Sequence, residues 1–223
     1  MYIKNRKFAL IYRCMLFFIC GIGLYITLGL HRGRFSLTSL VYYTTLSNMV
    51  CFLFYIPTIV NNASKLKIMG EADSAFAPRI KGAIVIMITI TFTIYHVFLA
   101  NVPFPIYTGG DFAYYIQNLI THYIVPIMVI IDWLLFDPKQ MLRTVDHLLW
   151  LLIPAAYAAF AIVRAQLGDV LPGRTSRYPY YFLDFDAMGS SGVFRFFAVF
   201  LLVYLSIGYA LVGIDRYILR KKS

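Results

Sequence analysis

The sequence predicts an all-α polytopic membrane protein, six transmembrane helices in a single bundle with both termini on the cytoplasmic side. Three observations carry this. The 223 residues are 61% hydrophobic and only 13% charged, with a mean hydropathy of +0.73, where a soluble domain carries about 25% charged residues. Apolar runs of about 20 residues, long enough for a helix to cross a ~30 Å hydrocarbon core, recur along the chain. Those runs are continuous rather than alternating, which excludes a β-barrel, and in lipid a backbone must satisfy its own hydrogen bonds.

The runs fall at residues 8–30, 40–60, 82–100, 114–136, 148–166 and 193–214. Lys4-Asn5-Arg6-Lys7 precedes the first and resembles the basic region of a signal peptide. The apolar stretch that follows is too long for one and shows no small-x-small cleavage site, so a retained anchor is expected. The longest connections, 61–81 and 167–192, are too short for a second domain, and 1–223 reads as one domain. Cys14, Cys20 and Cys51 all lie in spans and are odd in number, which fits small packing residues better than disulfides.

The formal net charge is +10, and its distribution is a topology signal. Lys4, Arg6, Lys7, Lys65, Lys67, Arg79, Lys81, Lys139, Arg143, Arg216, Arg220, Lys221 and Lys222 fall on one side of the layout, and Arg32, Arg34, Arg174 and Arg177 on the other. The positive-inside rule makes the first side cytoplasmic. Membrane lipids are therefore the expected partners and nucleic acid is not.

Within that layout, depth is informative. His122 lies inside the fourth run with Pro126 four residues on. An imidazole is costly in a span, and a proline leaves the carbonyl of the residue four before it without its helical donor. The rise of a helix places Thr44, His96 and His122 in the outer half, with Arg164 and Arg195 at the outer ends of their spans. Thr44, Ser47, Asn48, Cys51 and Tyr55 share one face of the second helix, with Thr45 turned about 100° away. Asn118 and His122 share a face of the fourth, and Thr89, Thr93 and His96 form a stripe on the third. Such hydroxyls and amides commonly bond across helices, which is the expected role of Ser47, Thr89 and Thr93. Arg164 and Arg195 either line a pocket or reach outward to the headgroups. Asp132, beside Trp133 near the inner end, is expected to pair with Arg143 or another basic residue, and His31 and His147 to be solvated at span edges.

The outer segment Tyr178-Pro179-Tyr180-Tyr181-Phe182-Leu183-Asp184 suits an aromatic cap, with Met188-Gly189-Ser190-Ser191-Gly192 turning the chain into the last helix. Asp184 is either a turn residue, a partner for Arg177 or Arg195, or a carboxylate within reach of a histidine.

Three segments carry a family resemblance: Tyr42-Tyr43-Thr44-Thr45-Leu46-Ser47-Asn48, Thr121-His122-Tyr123-Ile124-Val125-Pro126, and the outer segment above. In span order they resemble landmarks of a bacterial six-span family distantly similar to the animal androgen-induced and androgen-dependent membrane hydrolases. Those are threonine-dependent hydrolases of fatty acid esters of hydroxy fatty acids. The resemblance implies a lipid ester substrate, Thr44 as nucleophile, His122 as general base, and no cofactor or metal. Its threonine motif falls on Thr44 without a gap, while aligning on the asparagine selects Thr45. Thr45, Ser47 and Asn48 depart from the family pattern, and Asp184 replaces a glutamate. A base such as imidazole would activate the threonine hydroxyl, with Asn48, Arg195 or a tyrosine holding the oxyanion and Asn118 or Asp184 orienting the ring. Two readings compete: haem or metal binding through His96 and His122, and a small transporter, for which interrupted spans would be the signal.

Overall fold

The computed structural model describes residues 3–66, 75–100 and 112–216, and is helical with no strand among them. Its helices are α1 (Arg6–Thr27), α2 (Tyr43–Lys65), α3 (Pro78–Ile94), α4 (Phe112–Leu119), α5 (Val125–Phe136), α6 (Asp146–Trp150), α7 (Leu152–Leu167) and α8 (Phe185–Arg216). Joined where they run on, they make six rods long and apolar enough to cross a membrane. Local chemistry sets several ends. Asn5 caps α1 by accepting the Phe8 N–H at 3.1 Å, and Pro78 opens α3, where its missing N–H costs nothing. Lys139 closes α5 by donating to the carbonyls of Trp133 (2.6 Å) and Asp137 (2.8 Å).

Two spans are not uniformly α-helical. A π turn at Tyr95–Leu99 extends α3, and another at Ile120–Ile124 links α4 to α5. The second follows from Pro126. In the π turn the Val125 N–H bonds to the carbonyl of Ile120. The next donor in that register would serve Thr121, but it belongs to a proline and does not exist. The orphaned carbonyl is therefore that of Thr121, one residue earlier than an α register predicts. The last span also bends: Gly189 sits at φ 64° between the first turn of α8 and its long apolar stretch, a conformation natural to glycine.

The first four spans pack around a core of Leu16, Cys20, Cys51, Tyr55, Ile88, Val125 and Val129. Gly23 brings α1 close to the second π turn, where a Cβ would meet the Ile120 side chain at 2.7 Å. α6 and α8 pack on each other and on the far side of α3. At one end, Arg6 donates to the Lys65 carbonyl (2.9 Å) and the Gln140 N–H to that of Asp215 (2.9 Å). The ends of α1, α2 and α8 thus gather with Lys139 and Arg143 at one basic face. Lys67, Arg220, Lys221 and Lys222 lie outside the described residues.

One turn or two in from that face is a buried ionic cluster. Arg13 reaches Asp132 through Nε (2.8 Å) and Asp137 through Nη2 (2.8 Å). Lys81 bonds to Asp132 and, at 2.6 Å, to Asp137. The Tyr55 hydroxyl donates to Asp132 at 2.9 Å. This corrects one expectation and narrows another. Lys81 is not an interfacial flank but a residue of α3, only 1% exposed, because the helix begins at Pro78. Asp132 does pair with basic residues, and they are Arg13 and Lys81, while the Arg143 N–H donates to Asp146. His147 is buried as well, its ring 4.3 Å from that of Tyr209 and its Cβ close to Gly208, and His31 is half-buried.

Candidate functional site

The site forms where the first turn of α2 meets the two π turns. Tyr42 is extended and α2 begins at Tyr43, so the amides of Tyr43, Thr44 and Thr45 precede the first intrahelical bond, Leu46 N–H to Tyr42 carbonyl. Such first-turn N–H groups have no helical acceptor and favour negative charge. Thr44 Oγ1 lies 3.1 Å from His122 Nε2. On the other edge of the ring, Nδ1 is 3.1 Å from the carbonyl of Asn118. A carbonyl only accepts, so this hydrogen-bond pattern assigns the proton to Nδ1 and leaves the Nε2 lone pair facing the threonine hydroxyl. Thr121 Oγ1, which donates to the Gln117 carbonyl (2.9 Å), lies 3.3 Å from the same Nδ1. The Tyr95 ring, from the first π turn, stacks on the imidazole with centroids 3.8 Å apart. Its hydroxyl accepts from the Asn118 amide. Each π turn thus presents one ring to the site, in keeping with the concentration of these irregularities at functional positions.

Asn48 holds the backbone behind the pair. Its Nδ2 donates to the carbonyl of Thr44 (2.8 Å) and to the orphaned carbonyl of Thr121 (3.2 Å). Ser47 donates to the Thr44 carbonyl (3.0 Å) and meets Thr91 Oγ1 at 2.8 Å. The face predicted on α2 is therefore real, and the hydroxyl that meets His122 is that of Thr44. Thr45 is buried one residue on and lines the neighbouring polar cavity.

Thr44 sits on the boundary of two cavities. One, of about 390 Å³, is apolar and lies between α3, α7 and α8. The other, of about 290 Å³, is lined largely by hydroxyl and amide side chains and includes His122. Thr44, Tyr95, Leu99 and Tyr180 belong to both walls. Tyr180 comes from the outer cap and was not singled out by the sequence, since no periodicity marks a residue in an irregular loop. Burial pushes its phenol up to about 12, with the neighbouring Thr44 pulling the other way. At neutral pH it is a protonated donor beside the threonine.

The remaining candidates lie elsewhere. His96 is exposed, its Nδ1 3.2 Å from the Tyr123 hydroxyl and its ring stacked on Phe92. His122 has both nitrogens engaged in the interior, so the two imidazoles do not face a common ligand. Among the described residues no group of three His, Cys, Asp or Glu side chains is placed to hold a metal ion. Arg164 staples the segment between α7 and α8, donating to the carbonyls of Asp169 (3.1 Å) and Arg177 (2.8 Å). Arg195 is exposed and lines neither cavity. Asp184 accepts from the Ser176 hydroxyl (2.5 Å) and from the N–H groups of Asp186 and Ala187 (2.9 Å each), which makes it the cap of α8. The ring of His122 is oriented by the backbone carbonyl of Asn118, with neither the Asn118 side chain nor Asp184 in that role. No protein-family model, characterised protein or solved structure matches the chain, so a functional reading rests on this geometry.

Proposed function

We propose that the chain is an intramembrane threonine hydrolase of lipid carboxylic esters, with Thr44 as nucleophile and His122 as general base. The observation that carries this is the 3.1 Å contact between Thr44 Oγ1 and His122 Nε2 at the junction of an apolar and a polar cavity. Thr44 Oγ1 attacks the ester carbonyl carbon as Nε2 takes its proton. The tetrahedral intermediate collapses, the carbon–alkoxy bond breaks, and the imidazolium returns the proton to the leaving alcohol. Water then gives its proton to Nε2, attacks the acyl-threonine, and releases the acid as the proton passes back to Thr44. The first-turn amides of α2 and the Tyr180 phenol are the donors at hand for the oxyanion.

The basic face is read as cytoplasmic, with both termini there and the site in the outer half of a bacterial plasma membrane. At that depth a lipid ester enters sideways from the outer leaflet.

Purified protein tests the reading directly. Thr44→Ala and His122→Ala are each expected to abolish labelling by a fluorophosphonate probe and to lower ester cleavage by about 10²–10⁴. Thr44→Ser and Thr45→Ala are expected to retain labelling. Turnover that survives in both alanine variants overturns the proposal.

A further inference from the structure

The geometry points to a substrate class: a single-chain acyl ester of a small polyol, with its acyl chain in the apolar cavity and its hydroxylated alcohol half in the polar one. This rests on the hydrolase reading and deepens it. The two cavities differ in chemistry and meet only around the reacting pair. Ile90, Ile94, Leu151, Ala158, Phe197 and Phe200 are typical of the larger wall. Leu201, also in that wall, is 40% exposed, so the cavity reaches the lipid-facing surface between α7 and α8. At about 390 Å³ it stands near the small end of ligand pockets, where one alkyl chain fits and two do not.

The smaller cavity carries Thr27, Ser36, Thr38, Ser39, Gln117 and Asn118 on its wall. Thr27, Ser39 and Asn118 already donate within the protein, but a second alkyl chain placed there would still strip water from their remaining lone pairs and from the Gln117 amide and return no hydrogen bonds, a penalty against an apolar alcohol half. A glycerol-like alcohol exchanges hydroxyl for hydroxyl. Arg174 also reaches this wall, its guanidinium 5.6 Å from the Tyr42 ring centroid.

The test compares three oleoyl esters that share the scissile bond and the acyl chain, using purified full-length protein in nanodiscs. These are 1-monooleoylglycerol, dioleoylglycerol and oleyl oleate. The expected result is a kcat/KM for the monoacyl ester at least about tenfold above either of the others. Gln117→Leu is expected to raise KM for monooleoylglycerol while kcat holds. Ala158→Phe, at a half-buried wall position, is expected to shift preference from the oleoyl to the octanoyl monoester. Equal or faster cleavage of oleyl oleate or dioleoylglycerol overturns the substrate class and leaves the hydrolase intact. Cleavage of none of the three, with Thr44 unlabelled by fluorophosphonate, overturns both.

Discussion

Replacing Asp132 with leucine removes one corner of a neutral quartet, the cations Arg13 and Lys81 against the anions Asp132 and Asp137. The quartet then carries one excess positive charge in a site where Lys81 is 1% and Arg13 8% exposed. Breaking a buried pair in this way costs about 3–5 kcal/mol, and the Tyr55 hydroxyl loses its acceptor for about 1–3 kcal/mol more. Lys81→Met leaves the opposite imbalance at a similar cost of about 3–5 kcal/mol. Together the two substitutions restore neutrality and leave the Arg13–Asp137 contact at 2.8 Å in place. Independent effects would sum to about 7–13 kcal/mol, and the double variant is expected to fall short of that sum by about 3 kcal/mol. Denaturant titration in mixed micelles, followed by the fluorescence of the two tryptophans, measures all four corners of the cycle. Trp133 adjoins Asp132 and is buried, so the signal reports the region concerned. A double variant as unstable as the sum, or an Asp132→Leu protein as stable as the parent, would refute the argument.

Two further outcomes follow from the site. Asn48→Leu deprives the Thr121 carbonyl of its donor, at about 1–3 kcal/mol, and unties it from the Thr44 carbonyl, which Ser47 still serves; it is expected to lower ester cleavage more than about tenfold with Thr44 and His122 both present, because small displacements of reacting groups are costly. Unchanged kcat in that variant would contradict the role given to Asn48. Tyr180 supplies a pH signature: its folded phenol titrates at about 12 against an ordinary 10.0. The folded chain keeps a proton that the unfolded chain releases, so this contribution to stability is complete below pH 10 and is lost as pH climbs to about 12. Tyr180→Phe is expected to flatten that part of the stability profile in alkaline denaturation, and a profile that keeps its slope would assign the slope to other groups.

The six spans were legible because hydrocarbon thickness fixes how long an apolar run must be. That Thr44 and His122 stand level with each other was legible because a helix rises by a constant step. Rotation of one helix about its axis relative to another was not. His96, Arg164 and Arg195 stand at about the right level yet turn toward the surface or the outer loop, because equal depth does not imply a shared direction. The shared face of Thr44, Ser47 and Asn48 survived because all three belong to one helix. The pairing of Asp132 with Lys81 spans 51 residues of sequence, and a span drawn from hydropathy begins after the lysine that belongs in it. The second π turn escaped notice because a proline announces a missing donor but not which carbonyl will lose it. That choice depends on a donor from another helix, here Asn48.

The amide of Asn48 works as a fixed spacer between two stretches of main chain, at Thr44 and at Thr121, the residue before His122. The gap across which a proton would move is therefore set by backbone carbonyls and a third side chain. Truncating Thr44 or His122 removes a reactive group without cutting this tie. Variants at Thr44 or His122 should therefore keep the architecture of the parent, which, on the proposed chemistry, suits them to trapping an intact ester in place.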